Sequence, residues 1–357
     1  MDVTTKINLI KEFAEEIITE EELKNLFETN SHPIAYDGFE PSGIPHIAQG
    51  VIRAINISKM TKIGIRFKML VADWHAWANN KFGGDLDKIQ LAGKFLIEIW
   101  RSTGMNLKNV EFIWSNNIIE DRDYWKKVMQ IARNSTVKRV IRCGQIMGRA
   151  ESDVTQSSQI FYPCMQTADI FHLNVDIAQL GMDQRKVNVL ARELGNKLFG
   201  YKPVAVHHHM LMGLSQPPKT KKGVERTIEL KMSKSKPETA IFMMDTEEQV
   251  ELKIENAYCP IGIVEENPIL EYCKYIIFDK FKRFKIEREK KFGGDIILND
   301  YEDLVKSYKN KEIHPLDLKK SVSKYINLVL EPTRKHFEKN KKARELYKSV
   351  SSYTITR

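Results

Sequence analysis

Two short segments, separated by the length of a whole domain, carry residue types suited to handling a polyphosphate. The first is Tyr36–Gln49, YDGFEPSGIPHIAQ, a turn rich in Gly and Pro that leads into a helix. Such a connection points backbone N–H groups and the positive end of a helix at an anion. His46 stands at the helix start, where its imidazole can donate to a phosphate or serve as an N-terminal cap. The second is Leu230–Ser235, LKMSKS, which follows Gln216–Arg226 (QPPKTKKGVER), a basic stretch without apolar periodicity that reads as a mobile loop. Lys231 and Lys234 can fold over a triphosphate, and exclusion of water would strengthen their attraction to charge developing on pyrophosphate. A solvated Lys–Ser loop has the same composition.

A third segment, FYPCMQTADIFHL, places Tyr162, Gln166 and Asp169 at i, i+4 and i+7, along one face of a helix. Three polar groups on one stripe of an apolar stretch are costly to bury without partners. They fit a pocket for a small zwitterion bearing a phenol, or an internal hydrogen-bond network. Gln184, in GMDQRKVNVLAREL, adds an amide from the next helix. The run His207–His209 invites a metal, but adjacent residues of a strand face opposite ways. Three consecutive histidines cannot ligate one ion from a regular strand, and no metal site is expected.

These residues need elements to hold them. Strands are expected at Pro33–Phe39, Arg66–Ala72, Val110–Trp114, Val175–Leu180 and Val204–His207. Helices are expected at His46–Met60, Leu86–Thr103, the Arg- and Lys-rich Asp121–Ala150, Pro163–Leu173 (opened by Pro at its first position) and Asp183–Leu194. The N-terminal stretch reads as an amphipathic helix pair. Alternating strands and helices at this spacing predict an α/β fold, a doubly wound parallel sheet with helices on both faces. From Glu247 onward the pattern changes to Lys-rich helices separated by the KFGGD and KEIHPLD turns, so a boundary is placed at Met244–Glu247. The domains are then 1–245 and 246–357, with no internal repeat.

The 357 residues suit about two domains. Apolar residues at 42% and charged residues at 29% exclude collagen-like, mucin-like and largely disordered chains. A net charge of +9 leans toward an anionic partner such as a nucleic acid or polyphosphate, though a Lys-rich surface gives the same sum. Cys143, Cys164, Cys259 and Cys273 show neither metal-ligand spacing nor a disulfide framework, which suits a reducing, cytoplasmic interior. The acidic N-terminus lacks the basic and apolar regions of a targeting signal. No run approaches the ~18 apolar residues of a membrane span, so no membrane partner is expected.

In this order, HIAQ and KMSKS resemble the HIGH and KMSKS signatures of class I aminoacyl-tRNA synthetases, a family with a Rossmann-like catalytic fold. KMSKS is intact. The first signature keeps His46 but carries Ala48 for Gly and Gln49 for the second His, so position 49 offers an amide donor and no cation. YDGFEPSG, FYPCMQTADI and GMDQRK further resemble the tyrosyl-tRNA synthetases of the archaeal and eukaryotic branch, in a compact form without an appended C-terminal module. The matching motifs spread from Tyr36 to Asp317.

The resemblance implies activation of tyrosine by ATP to tyrosyl-adenylate and pyrophosphate, then transfer of the tyrosyl group to the 3′ end of tRNA(Tyr). By position it implies that Tyr36 and Asp169 bracket the tyrosine hydroxyl, with His75 of VADWHAW nearby, and that Tyr162, Gln166 and Gln184 hold the amino acid's polar ends. Asp183 would contact the ATP ribose, and Gly38, Glu40 and Ser42 would line the nucleotide side. His46, Gln49, Lys231 and Lys234 would attend the phosphates, with Met232 and Ser233 of the same signature also at ATP. Asp37 receives no role. Mg²⁺ would accompany ATP, held by phosphates and water.

The family pattern also implies a homodimer, a helical dimerisation insertion at about 119–160 with part of Lys126–Arg149 buried between subunits, and a helical anticodon-binding domain. In that domain Phe292 would stack on an anticodon base and Asp317 would accept from a guanine edge. A core contact at a glycine turn and a helix cap after Pro315 are the plain alternatives for these two. Rival readings are a tryptophan-specific relative, a nucleotidyltransferase acting on a small cofactor, and a tRNA-binding paralogue inactivated at Ala48 and Gln49. Asp169 opposite Tyr36 favours a phenol.

Overall fold

In the computed structural model, which describes residues 1–148, 156–218, 226, 230–232 and 236–354, six strands form one sheet. They are β1 (Ala14–Ile18), β2 (Ile34–Phe39), β3 (Arg66–Val71), β4 (Val110–Trp114), β5 (Ile177–Gly181) and β6 (Val204–His208), in the order β1-β6-β5-β2-β3-β4. All neighbours pair in parallel except the edge strand β1, which runs antiparallel to β6. The strand order reverses between β2 and β5. In open α/β sheets, ligands occupy the crevice outside the carboxyl ends of the strands at such a reversal.

The N-terminal stretch departs from the expected helix pair. Helices α1 (Val3–Lys11) and α2 (Glu20–Thr29) flank β1, whose sequence is AEEII. Glu and Ile read locally as helical, but the exposed ladder of β6 supplies the hydrogen bonds that make this segment a strand. A capping box between Thr19 and Glu22 then starts α2.

After β2, the expected helix His46–Met60 begins as a wide turn at Ala48–Ile52 and continues as α3 (Arg53–Lys62). Next come α4 (Asp73–Ala78), α5 (Leu86–Ser102) and α6 (Ser115–Ile118). The side chains of Trp114 and Val71 press on α5 at Gly93, where an added Cβ would lie 2.6 Å from Trp114. The expected helix Asp121–Ala150 is two, α7 (Arg122–Arg133) and α8 (Val137–Cys143), because Thr136 caps a new helix after the Asn134 break. Helix α9 (Ser157–His172) also differs from expectation: Pro163 lies inside it, and Gln156 with Gln159 provides the start through reciprocal side-chain bonds. Helix α10 (Arg185–Phe199) follows β5.

The remainder is built on α11 (Glu247–Glu255), α12 (Pro268–Tyr272, extended by a wide turn at Cys273–Ile277), α13 (Tyr301–Lys309), α14 (Pro315–Lys339) and α15 (Lys341–Ser351). It carries one feature the helical pattern hides, an antiparallel pair of β7 (Phe284–Ile286) and β8 (Ile296–Leu298). Three-residue strands are too short to show an alternating pattern. These helices share an apolar cluster with the helices beside the sheet, where Phe95 of α5 packs on Phe337 of α14 and Tyr347 of α15. Among the described residues no helix is long and apolar enough to cross a membrane.

Candidate active site

A cavity of about 240 Å³ opens at the carboxyl ends of β2 and β5. Every described residue that the sequence assigned to tyrosine or ATP lines it, from Tyr36 and His46 on the first segment to Lys231 and Met232 on the second. Ser233 and Lys234 lie outside the described residues, as does most of Gln216–Arg226.

At the deep end, Asp169 on α9 is 1% exposed. The Tyr124 hydroxyl donates to its Oδ1 at 3.0 Å, and His75 Nε2 lies 3.0 Å from its Oδ2. Burial alone would push the His75 pKa down, but the Asp169 carboxylate overcomes that and raises it. Tyr36 on β2 is fully buried, and its hydroxyl has no hydrogen-bond partner of good geometry among the described residues. Burial, reinforced by the charge of Asp169, lifts the Tyr36 pKa and keeps it a neutral phenol that can donate. An ionised carboxylate has about four acceptor sites, so Asp169 retains capacity beyond Tyr124 and His75. A buried neutral hydroxyl within the field of such a carboxylate suits a ligand hydroxyl that accepts from one and donates to the other.

Tyr124 escaped the sequence reading. It sits in α7, within the Arg- and Lys-rich stretch Asp121–Ala150, yet Tyr124, Val128 and Ile131 form a buried stripe. That spacing was the available signal. Tyr124→Phe removes a hydrogen bond to a charged group, worth about 1.5–3 kcal/mol. We expect the Michaelis constant for the amino acid to rise roughly tenfold or more, with ATP kinetics unchanged. Titration of both substrates in pyrophosphate exchange checks this.

Towards the cavity mouth, Gln166 Nε2 donates to Gln184 Oε1 at 3.1 Å, and Gln184 Nε2 donates to the Ile146 carbonyl at 3.1 Å. This relay spends one amide on fixing the other and leaves the Gln166 oxygen free of that relay. Tyr162 packs edge-on to His75 with centroids 5.1 Å apart. Burial, then the Glu40 charge, raises the Tyr162 pKa. Glu40 itself accepts from Asn79 Nδ2 at 2.9 Å and lies 3.5 Å from Lys81 Nζ.

The two signature segments are fastened by backbone pairing. Ile47 donates to the Ile241 carbonyl at 2.8 Å, and Met243 donates to the Pro45 carbonyl at 2.9 Å. The Met243 side chain lies directly over Gly50, where an added Cβ would meet its Sδ. Gly213 donates to the Leu230 carbonyl at 2.8 Å, and Met232 donates to Leu211 at 3.0 Å. Lys231 Nζ reaches Asp183 Oδ2 at 2.7 Å. The carboxylate that the resemblance assigns to the ribose is therefore paired with a signature lysine. The Gln49 carbonyl accepts from Trp100 Nε1 at 2.9 Å, which anchors the backbone of the altered signature.

Beneath the cavity lies a charged network that local sequence spacing hides. Arg53 Nη2 is 2.9 Å from Asp37 Oδ2, Arg53 Nη1 is 3.0 Å from His208 Nδ1, and Gln179 Nε2 also reaches His208 Nδ1 at 3.0 Å. Two donors at Nδ1 make it the acceptor of a neutral imidazole. Burial pushes the Asp37 carboxyl up to about 7 against the pull of Arg53. Burial and then the Arg53 charge push His208 well down. Asp37, left without a role from sequence, thus helps form the cavity floor. The three histidines diverge: His207 Nδ1 meets Glu16 at 2.8 Å, His208 joins this network, and His209 Nε2 meets Glu271 at 3.1 Å.

Phe292 and Asp317 lie away from the cavity lining. Phe292 is 59% exposed in a turn completed by Gly293 and Gly294, both at positive φ, so it is no core contact. Asp317 sits in the first turn of α14, but the cap is His314, whose side chain accepts from the Leu316 N–H at 3.2 Å. Neither plain alternative describes these two residues.

The model of the class I tRNA synthetases for tryptophan and tyrosine (W and Y) matches residues 28–331. The chain is 48% identical to Tyrosine--tRNA ligase 1, cytoplasmic, of Arabidopsis thaliana, across 100% of this chain and 90% of that protein. It is 40% identical to Tyrosine--tRNA ligase of Saccharolobus solfataricus, across 100% of this chain and 99% of that one. Among solved structures, the tyrosyl-tRNA synthetase of Pyrococcus horikoshii complexed with L-tyrosine superposes with a TM-score of 0.90 at 40% identity, covering 98% of this chain and 100% of that chain.

Proposed function

This chain belongs to the class I tRNA synthetases of the tryptophan and tyrosine group, on the tyrosine branch of archaeal and eukaryotic type, and from that premise we propose which residues carry each part of the reaction. The activity is that of a tyrosine–tRNA ligase, with ATP as co-substrate. The observation that carries the site assignment is the buried pair at the deep end, the neutral Tyr36 hydroxyl and the Asp169 carboxylate. Tyrosine places its phenol between them, and its amino group near Tyr162, Gln166 and Gln184.

ATP lies toward the signature segments, with its ribose at Asp183 and its purine side along Gly38, Glu40, Ser42 and Met232. The tyrosine carboxylate is already ionised at neutral pH and attacks the α-phosphorus without a protein base. Catalysis is then positioning and charge stabilisation. His46, Gln49, Lys231 and Lys234 meet the charge that develops on pyrophosphate. No group of three or more metal-ligating side chains stands together among the described residues. Mg²⁺ would accompany ATP, held by phosphate oxygens and water, and would supply charge neutralisation there.

The region 1–245 serves activation and 246–357 the tRNA. The homodimer uses the α7–α9 face, a reading supported by Trp125, Met129, Val137 and Phe161, large apolar side chains exposed on those three helices. The working compartment is the cytoplasm, as the name of the Arabidopsis relative suggests.

Phe292 stacks on an anticodon base and Asp317 accepts from a guanine edge. Asp317→Ala is expected to weaken tRNA charging by roughly 10- to 100-fold, as the loss of one base-specific contact of about 1–3 kcal/mol would. Pyrophosphate exchange without tRNA stays unchanged. Equal loss in both assays would show that Asp317 supports the fold and does not read RNA.

A further inference from the structure

We propose that His209 is the positioning residue that holds Leu230–Met232 in register with the nucleotide site, and that Glu271 of the C-terminal helices is its fixed anchor. The proposal rests on the ligase reading above.

His209 follows directly on β6. Its Nδ1 lies 3.3 Å from Glu15 Oε2 and its Nε2 lies 3.1 Å from Glu271 Oε2. Carboxylates only accept, so an imidazole that meets one at each nitrogen carries both protons and a positive charge. The ring lies flat on Tyr275, with centroids 4.4 Å apart and planes 13° apart. Three distant pieces of chain meet here: Glu15 from β1, His209 from the end of β6, and Glu271 from α12.

Glu271 has a second task. Its Oε2 also accepts from the backbone N–H of Met212 at 3.0 Å. Met212 pairs with Lys231 in an antiparallel bridge, flanked by the bonds from Gly213 to Leu230 and from Met232 to Leu211. One carboxylate therefore fixes both ends of the 209–212 stretch, and that stretch is the template on which Leu230–Met232 is laid. Lys231, at the centre of this ladder, reaches Asp183. If His209 loses its charge, two carboxylates face each other across it, and the template loses its hold on α12. Tyr36 and Asp169 belong to β2 and α9, so the tyrosine end of the cavity is insulated from this change.

The groups facing the His209 ring are Glu15 from β1, Glu271 and Tyr275 from α12 and its extension, and Lys274, whose ammonium lies 4.9 Å from the Tyr275 ring centre. Burial would lower the imidazole's pKa, but the two carboxylates overcome this and lift it to about 9. A pKa raised on folding gives stability that is complete below the unfolded value of about 6.5 and is lost as pH rises through about 9.

The test uses the full chain with His209→Gln, Glu271→Gln and His209→Lys. Hydrogen–deuterium exchange of the 209–213 and 230–232 amides is measured beside steady-state pyrophosphate exchange, varying ATP and tyrosine separately. In His209→Gln and Glu271→Gln we expect both stretches to exchange faster and kcat/KM for ATP to fall roughly tenfold, the scale of one charge-assisted hydrogen bond, while the tyrosine Michaelis constant stays within about twofold. His209→Lys, which keeps a cation, recovers part of the loss, and the fall of thermal stability from pH 7 to 9 is flatter in His209→Gln than in the parent. Unchanged protection at 209–213 and 230–232 in Glu271→Gln overturns the proposal, as does equal loss toward ATP and tyrosine. A parent chain that does not exchange pyrophosphate with tyrosine would instead overturn the ligase reading, while the amide exchange would still decide the role of His209.

Discussion

Asp169→Ala is expected to erase most of the discrimination between tyrosine and phenylalanine. Phenylalanine would leave the buried Asp169 carboxylate and Tyr36 hydroxyl without the group that joins them. An unpaired buried polar site rejects the analogue lacking a hydroxyl by about 10⁴- to 10⁵-fold, the magnitude already established for tyrosine-specific synthetases as a class. Removing the carboxylate removes the cost of leaving it unpaired, so phenylalanine gains while tyrosine loses. The substitution also strips His75 and Tyr124 of a shared partner, so Asp169→Asn, which keeps shape and one acceptor, is the control for folding. The ratio of kcat/KM for the two amino acids in pyrophosphate exchange is the readout. A ratio within tenfold of the parent's would remove Asp169 from the specificity role.

The second large effect concerns the phosphates. Lys231→Ala is expected to slow adenylate formation by about 10²- to 10³-fold, the usual result of deleting one preorganised group that meets developing charge. Tyrosine affinity should hardly move, because Lys231 contacts Asp183 and the 211–213 stretch and none of the Asp169 partners. Single-turnover formation of tyrosyl-adenylate separates the two quantities. A matched loss of tyrosine affinity would mean that the Lys231–Asp183 pair shapes the cavity. Lys234, outside the described residues, is the second cation of the signature, and removing both should slow the step further than either alone.

Much of this site is readable from local pattern because it lies on segments whose chemistry and spacing coincide. Tyr162, Gln166 and Asp169 follow helical spacing, and the cavity-lining face of α9 is where that spacing puts them. Strand Val110–Trp114 is visible to the residue, being a short run dominated by β-branched and aromatic side chains. What stays hidden depends on partners far away in the chain. AEEII becomes a strand only because β6 offers an open edge. Tyr124 gains its meaning from Asp169 and Arg53 from Asp37 and His208, pairs that no local period announces. Pro163 marks a helix start by rule, yet the Gln156 cap and the burial of the following turns carry the helix through it.

The buried Asp37–Arg53–His208 floor and the His209–Glu271 anchor share a logic. Each joins oppositely charged groups from distant parts of the chain, the Asp37–Arg53 pair fully buried and the His209–Glu271 pair about one-fifth exposed. Each also holds an end of β6, the strand that delivers the chain to the second signature segment. The end of the cavity near Lys231 is thus held by charge pairs, and the deep end centres on the Asp169 carboxylate with its Tyr124 and His75 partners.

The most direct measurement is amino-acid-dependent ATP–pyrophosphate exchange without tRNA, with tyrosine, tryptophan and phenylalanine supplied in turn. Exchange with tyrosine alone is the predicted result, since it requires the Tyr36–Asp169 pocket and the signature segments to work together. Exchange with tryptophan in place of tyrosine, or none with any amino acid in a folded chain that still binds tRNA, would contradict it, the second outcome marking Ala48 and Gln49 as the signs of a lost activity.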